Sequence, residues 1–377
     1  MAKLEEVFTI ASGGTPDKRN PSYYENGTIP WVKTGDLKNQ YVPTGIDCIT
    51  EEGLNNSSAK LFPPNTVLVA MYGATIGACS ILSYEAATNQ ACAAFLPNEN
   101  VLPTYLYYFL SSKRDQFVKD GVGGAQPNIS AGYLKNVQFG LIPMQQQIDI
   151  VEKLDKVEKL IALRKEQLAK LDQLVKSRFV ELFGDTPDEE KKTMADICKI
   201  ITDGTHQPPK FTSTGIPFLF VSNIVTNEIH YDAEKFISEE TYAELIKRTP
   251  IAIGDILLST VGSYGHPAVV KSDKPFCFQR HIAYLKPNAD MVNSEYLRGA
   301  ILSADVQRQI DERVKGIAQK TLNLSEIRKL QLPLPSMEQQ EQFAAFVEQT
   351  DKSKLAIQYS LNKLELLKKS LMQKYFG

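Results

Sequence analysis

Cysteine is sparse in this sequence and never arranged as a ligand set. The five cysteines among 377 residues (Cys48, Cys79, Cys92, Cys198 and Cys277) form no CxxC pair. A disulfide framework and a zinc knuckle are therefore not expected, and a reducing cytoplasm fits. No apolar run approaches the roughly 20 residues that cross a bilayer. The opening Met1-Ala2-Lys3-Leu4-Glu5-Glu6 puts acids where an export signal carries its apolar stretch, which again argues for a cytoplasmic location. The four histidines (His206, His230, His266 and His281) make no HxxxH or HxxEH pair, so no metal site is expected.

Other absences exclude whole reaction classes. A GxxxxGK[ST] loop is missing, and with it nucleotide hydrolysis by this chain. The Asn/Asp-Pro-Pro-aromatic tetrapeptide with which amino-methyltransferases grip a flipped base is also missing; Gln207-Pro208-Pro209-Lys210 has only its prolines. Pro187-Asp188-Glu189-Glu190-Lys191 superficially matches part of a nuclease motif but sits in a charged linker. Gly13-Gly14 and Gly121-Val122-Gly123-Gly124 read either as weak phosphate loops or as flexible turns. Nor is there an excess of charge of one sign: 42 basic against 44 acidic residues leave a net charge of −2. Any face that binds nucleic acid must then be a local concentration of Lys and Arg. With 43% hydrophobic residues the chain is ordinary globular material, and a prior of roughly 150 residues per domain gives two or three domains.

What is present is a repeat. Shifted by 193 residues, Leu141–Gly184 lies over Leu334–Gly377 without a gap. Met144-Gln145-Gln146-Gln147 meets Met337-Glu338-Gln339-Gln340, Lys176-Ser177 meets Lys369-Ser370, and Phe183-Gly184 meets Phe376-Gly377. The preceding stretches match more loosely. Ile29-Pro30-Trp31-Val32 faces Ile216-Pro217-Phe218-Leu219, Gly13-Gly14-Thr15 faces Asp203-Gly204-Thr205, and Tyr72-Gly73 faces Val261-Gly262. Asn89-Gln90 aligns with Phe278-Gln279, which pairs Gln90 with Gln279. Asn128-Ile129-Ser130 is matched with Asn323-Leu324-Ser325, making the second copy two residues longer there. The chain thus divides into a variable segment at 1–140, a repeated segment at 141–184, a second variable segment at 185–333 and a second repeated segment at 334–377.

Each repeated segment reads as one long helix, opened after proline (Pro143; Pro333 and Pro335) and closed by Gly184 or Gly377. About 38 residues at 1.5 Å each give a length on the order of 55 Å. Positions stepping alternately by three and four run through Leu154, Val157, Ile161, Arg164, Leu168, Leu171, Val175, Arg178 and Leu182, seven of the nine apolar. The same register in the second copy gives Val347, Thr350, Lys354, Ile357, Leu361, Leu364, Lys368, Leu371 and Tyr375, six of the nine apolar and so the weaker seam. Such a seam predicts that the two helices pack on each other as an intramolecular coiled coil, the alternative being that each packs on its own variable segment. The variable segments read as mixed α/β. Short apolar strands fall at Val67–Met71, Ala91–Leu96, Asp255–Ser259 and Ile282–Leu285, and one helix falls in each copy, over Leu102–Lys119 and Ser294–Val314.

At this point the chain resembles the specificity (S) subunit of type I restriction-modification enzymes over essentially its whole length. Ile10-Ala11-Ser12-Gly13-Gly14-Thr15-Pro16, Ile29-Pro30-Trp31-Val32-Lys33-Thr34-Gly35-Asp36-Leu37, Tyr72-Gly73-Ala74-Thr75-Ile76-Gly77 and Ala125-Gln126-Pro127-Asn128-Ile129-Ser130 are similar to its target-recognition domains. Ile142-Pro143-Met144-Gln145-Gln146-Gln147 is similar to the lead-in of its spacer helix. The resemblance implies an α+β fold: two mixed α/β target-recognition domains related by pseudo-twofold symmetry and separated by two long antiparallel helices.

It also implies a non-catalytic subunit that reads double-stranded DNA. Each variable segment would hold one half of an asymmetric two-part site, and the helices would set the spacing. Two modification (methyltransferase) subunits would dock on them, followed by restriction (translocase/nuclease) subunits. S-adenosylmethionine, ATP and Mg would belong to those partners, with no cofactor bound here. The rival readings are a coiled-coil adaptor without DNA binding and a self-contained methyltransferase or nuclease.

Reading base edges needs amide or guanidinium forks. The candidate DNA-binding residues are Lys33, Thr34, Asp36, Tyr72, Thr75, Asn89, Gln90, Gln126 and Asn128 in the first half. In the second half they are Ser222, Asn223, Thr260, Ser263, Tyr264, His266, Gln279, Arg280, His281, Gln319 and Lys320. Lys18, Arg19, Lys38, Lys210 and Lys271 are candidate phosphate contacts.

Overall fold

In the computed structural model, residues 1–122, 128–184, 186–187, 190–316 and 320–377 are described. They form two compact units. Unit 1 comprises Met1–Arg164 with Ser360–Gly377, and unit 2 comprises Lys165–Tyr359.

In unit 1, Val67-Leu68-Val69-Ala70 is wholly buried because it lies between two layers. Val67 and Val69 face one core with Phe95, Tyr105, Leu106 and Phe109, while Leu68 and Ala70 face another with Val32, Phe62 and Leu82. A strand covered on both faces reads as a continuous apolar run rather than an alternating one. It is central in a four-stranded antiparallel sheet ordered Ile10–Ser12, Cys92–Phe95, Val67–Ala70, Cys79–Ile81. Against it lies a second sheet, ordered Cys48–Ile49, Ile29–Val32, Ala86–Thr88, Leu61–Phe62, whose middle pair is parallel. Helix Pro103–Ser112 covers the other face.

Unit 2 repeats the plan. Its antiparallel sheet runs Cys198–Asp203, Ile282–Pro287, Ile256–Ser259, Pro267–Val269. Its second sheet runs Phe236–Ile237, Ile216–Leu219, Cys277–Phe278, again with a parallel pair. Ile256 and Leu258 face the helical side, and Leu257 faces the second sheet.

The helix expected over Leu102–Lys119 is broken into Pro103–Ser112 and Arg114–Asp120. The one expected over Ser294–Val314 is broken into Ser294–Ile301 and Ala304–Arg313. In the latter, Ser303 starts a new helix by accepting a hydrogen bond from the Val306 N–H, 3.3 Å. A serine in that role terminates one turn as it caps the next.

The long helices span Met144–Phe183 and Met337–Phe376, 40 residues each, or about 60 Å. Each unit holds the first half of one and the second half of the other, running antiparallel. In unit 1, Glu158 pairs with Lys368, and Leu154 shares a core with Leu371, Met372 and Phe376. In unit 2, Asp172 pairs with Lys354, and Phe179 and Phe183 pack on Phe343. As numbers rise along one helix they fall along the other.

Leu154, Val157, Ile161, Val347 and Leu361 are buried, and Leu168, Leu171, Val175, Ile357, Leu364 and Leu371 are half-buried. Leu182 departs from the expected seam: it is 40% exposed, and Phe179 and Phe183 are buried instead. Their rings pack on Tyr296 and Phe343 of unit 2, edge-on except for the tilted Phe179–Tyr296 pair, and this aromatic contact rotates the seam at the helix end. The helices therefore pack both on each other and on the sheet-bearing parts of their units.

The repeated Gln-Gln lead-in has a structural reason. Gln147 is fully buried; its carbonyl accepts from the Leu102 N–H (2.9 Å) and its amide donates to the carbonyls of Asn100 (2.8 Å) and Ile142 (2.9 Å). Gln340 does the same with the Asn293 N–H (2.9 Å) and the carbonyls of Met291 (3.1 Å) and Pro335 (2.9 Å). One amide thus satisfies three backbone groups that burial would otherwise orphan. It clamps the first turn of each helix to its own unit.

Candidate nucleic-acid interface

At one end of each sheet pair, five loops are stitched together by backbone hydrogen bonds. In unit 1 the Gly13-Gly14 turn lies against the end of strand Ala86–Thr88, with the Gly14 N–H donating to the Thr88 carbonyl at 2.9 Å. A Cβ on Gly13 would sit 1.9 Å from that carbonyl oxygen, so only glycine fits. This close approach accounts for the glycine pair without a phosphate. The Asn89 N–H donates to the Val32 carbonyl (3.0 Å), tying in the loop of Lys33, Thr34 and Asp36. The Met71 N–H donates to the Ala91 carbonyl (2.8 Å), and the Ile129 N–H donates to the Met71 carbonyl (3.0 Å). These bonds bring Tyr72, Thr75 and Asn128 onto the same rim.

Unit 2 has the same stitches. The Thr205 N–H donates to the Phe278 carbonyl (3.2 Å), and the Gln279 N–H to the Leu219 carbonyl (3.2 Å). The Thr260 N–H donates to the His281 carbonyl (3.0 Å), and the Leu322 N–H to the Thr260 carbonyl (2.8 Å). Gly204 takes the place of Gly13, its added Cβ 2.2 Å from the Phe278 oxygen. Gly73 and Gly262 both turn the neighbouring loop at positive φ, 67° and 72°.

These bonds correct three alignments drawn from residue letters. Gly14 and Thr205 make the same bond, so the partner of Gly13 is Gly204 and not Asp203. Asn89 and Gln279 make the same bond, so the partner of Gln90 is Arg280, not Gln279. Asn128 bridges Val122 and Tyr72, and Thr321 bridges Lys315 and Val261. The partner of Asn128-Ile129-Ser130 is therefore Thr321-Leu322-Asn323, and no extra two residues intervene. Ser130 and Asn323 both start helices, Ala131–Lys135 and Leu324–Ile327. The same 193-residue shift thus holds from Val122 onward.

The nominated side chains fall into two groups. Several are occupied in holding the loops. Asp36 accepts from the Lys33 N–H at 2.8 Å, Lys33 is ion-paired with Asp47, and Asn89 accepts from the Ala91 N–H at 3.2 Å. Thr75 donates to the Tyr72 carbonyl at 3.2 Å. Asn223 is buried, accepting from the Phe220 N–H (2.9 Å) and donating to the carbonyls of His230 (3.0 Å) and Asp232 (3.2 Å). It is the counterpart of Asp36 and turns its amide into the loop. Thr260 is also buried. Tyr264 donates to Asp311 (2.9 Å), with Lys320 over its ring, and His266 Nδ1 lies 3.2 Å from Asn227 Oδ1. Burial lowers the pKa of His266 below the usual imidazole range, which favours its neutral form.

The second group points outward. Tyr72 is 45% exposed, and Gln90, Asn128, Ser222, Ser263, Arg280 and Lys320 are exposed, with Thr34, Gln279 and His281 half-buried beside them. Gln126 and Gln319 lie outside the described residues. Of the candidate phosphate contacts, Arg19 is paired with Asp17 (2.9 Å), and Lys271 with Glu295 (3.1 Å) and Asp351 (3.2 Å). Lys18, Lys38 and Lys210 are exposed without a partner among the described residues.

Sequence reading missed Thr15, whose hydroxyl donates to the Gln90 side-chain carbonyl, and the trio Asp203, His206 and Arg248 beside Gly204. All of these lie far apart in sequence from the residue they contact or carry no motif, so only the fold reveals them. Among the described residues no His, Cys, Asp and Glu cluster is suited to hold a metal ion, and no helix is long and apolar enough to cross a membrane.

Comparison with known proteins agrees with this double construction. The sequence model of the family described as "Type I restriction modification DNA specificity domain" matches twice, over residues 1–173 and 188–366. The chain is 25% identical to the MjaIX type I restriction enzyme specificity subunit of Methanocaldococcus jannaschii, over 92% of this chain and 85% of that one. It is 25% identical to the EcoBI specificity subunit of Escherichia coli over 66% of this chain and 60% of that one. Its fold matches the crystal structure of the type I restriction-modification S subunit from M. genitalium, with a TM-score of 0.55 at 15% identity, covering 100% and 95% of the two chains. It also matches a chain from a structural study of assembly and conformational transition of the type I restriction-modification system, with a TM-score of 0.60 at 18% identity, covering 100% and 96%. With its two matched segments coinciding with the two stitched rims and the helices that follow them, the chain belongs to the type I restriction-modification DNA specificity family.

Proposed function

We propose that this chain is the DNA-reading specificity subunit of a type I restriction-modification complex, each unit reading one half of an asymmetric two-part site. The observation that carries the reading is the rim: one hydrogen-bonded scaffold built twice, presenting different exposed side chains each time. Recognition of two unlike half-sites requires that combination, because the backbone sets where a side chain meets the groove and the side chain sets which base it accepts. The set offered to bases is Tyr72, Gln90 and Asn128 in unit 1 and Ser222, Ser263, Gln279, Arg280, His281 and Lys320 in unit 2. Asp36, Asn89, Asn223 and Thr260 position the loops. Lys18, Lys38 and Lys210 supply phosphate contacts.

The long helices, each clamped at its first turn by Gln147 or Gln340, fix the spacing between half-sites and offer the surface on which two methyltransferase subunits dock. Methyl transfer with S-adenosylmethionine, and ATP- and Mg-dependent translocation and cleavage, belong to partner subunits. The test is mapping of methylated adenines in cells with and without this chain, its modification partner being present in both. A single asymmetric two-part motif, lost without the chain, is the expected result; methylation that persists unchanged overturns the reading. Four residues inserted between Ile161 and Leu168 are expected to lengthen the spacer and leave both half-sites intact. An altered half-site with the old spacer contradicts the ruler role.

A further inference from the structure

The turn that follows the parallel strand pair ends in the same backbone geometry in both units, fixed by the Asn89–Val32 and Gln279–Leu219 bonds on one side. The Met71–Ala91 and Thr260–His281 bonds fix the other side. Between them a single residue is left at the tip, Gln90 in unit 1 and Arg280 in unit 2, and both are exposed. Their surroundings orient them. The Gln90 side-chain carbonyl accepts from the Thr15 hydroxyl, which decides how the amide faces and leaves its NH2 and one lone pair outward. The Arg280 backbone N–H donates to the Thr205 carbonyl at 3.1 Å, while its guanidinium has no partner among the described residues. It borders a cavity of about 250 Å³ shared with Thr260, His281 and Asn323. The one carboxylate lining that cavity, Asp203, is already engaged by Arg248 and His206, so it does not neutralise Arg280.

Resting on the reading above, we infer that this tip is a specificity-determining position in both halves. Arg280 reads a guanine in the half-site of unit 2, and Gln90 reads an adenine in the half-site of unit 1. A guanidinium fork matches the O6 and N7 acceptors of guanine, and a carboxamide matches the N6 donor and N7 acceptor of adenine. The alternative for an exposed arginine, a phosphate contact, is a sequence-independent need common to both halves. The neutral Gln90 at the same backbone position in unit 1 argues against it.

The test uses the full chain in cells with its modification partner, comparing Arg280→Gln, Arg280→Lys and Gln90→Ala with the unaltered protein. Because both side chains are exposed, melting temperatures are expected to stay unchanged. In Arg280→Gln, discrimination for guanine at one position of one half-site is expected to fall roughly tenfold to a hundredfold, the other half remaining as it was. Gln90→Ala is expected to relax one adenine position in the opposite half. Uniformly reduced methylation at an unchanged motif, restored by Arg280→Lys, would mark a phosphate contact and overturn the inference. So would two variants acting on the same half, or neither altering the motif. These results leave the DNA-reading role standing, whereas a motif that survives deletion of the whole chain removes that role as well.

Discussion

Unit 1 and unit 2 solve one folding problem with one backbone and different chemistry. Where the first long helix meets unit 1, Asp155 accepts from the Tyr108 hydroxyl at 2.6 Å and from the Gln40 amide at 3.4 Å, two hydrogen bonds beside the Tyr107–Tyr108 ring pair with no cation involved. Where the second long helix meets unit 2, a charge network does the work. Arg298, only 8% exposed, donates to Glu295 (2.8 Å) and Asp351 (3.2 Å), and Lys271 reaches both carboxylates at 3.1 and 3.2 Å. The Gln147 and Gln340 clamps, by contrast, are the same bond for bond. Geometry that orients the helix is kept, while the material filling the joint varies, as do the exposed residues of the rims.

The sharpest way to break this comparison is at the charge network. Arg298→Ala leaves Glu295 and Asp351 with only the more exposed Lys271 between them and is expected to destabilise unit 2 by about 3 kcal/mol, the low end for a broken buried pair. Hydrogen exchange should show the loss in the amides of Ser294–Ile301, with those of Pro103–Ser112 unchanged; equal loss in both would mean the units melt as one. Next come the clamps. Gln147→Leu and Gln340→Leu each orphan a buried N–H and two carbonyls, with an expected cost of about 2–3 kcal/mol. If the clamps are equivalent, denaturation should give the two variants similar losses, and a difference above about 1 kcal/mol would show that the bonds match but the burial does not. The smallest effect is expected from Tyr108→Phe, about 1 kcal/mol for one hydrogen bond, read as a melting shift. A loss as large as that of Arg298→Ala would make unit 1 as dependent on a polar joint as unit 2.

How legible all this was in the sequence depended on where the signal lay. The long helices were plain, because proline and glycine punctuate them and the seam through Leu154, Val157 and Ile161 holds its period. The seam failed at Leu182 because Phe179 and Phe183 answer to Tyr296 and Phe343, contacts made across the fold rather than along the helix. The strands were visible as apolar runs, but the helix breaks at Lys113 and Ser303 were not, since apolar periodicity continues through both. In the rims, matching glutamine to glutamine set Gln90 one residue out of register, whereas backbone bonds set Gln90 against Arg280. Asn223 looked like a base reader because exposure and burial leave no mark on a polar loop residue; only its three bonds reveal that it holds the loop.

The division of the chain between units also has a consequence for synthesis. Unit 2 is one uninterrupted stretch, Lys165–Tyr359, while unit 1 needs Ser360–Gly377 to finish its core. Phe376 packs there on Tyr105 and Phe109, and Lys113 holds the Phe376 carbonyl at 2.6 Å, across 263 residues of sequence. On a ribosome, where domains assemble as their residues emerge, the half made first is therefore the half completed last. Until residues 360–377 appear, the nascent chain carries an open aromatic face around Tyr105, Phe109 and Phe139. Unit 2, begun later, has by then all the residues of its own core.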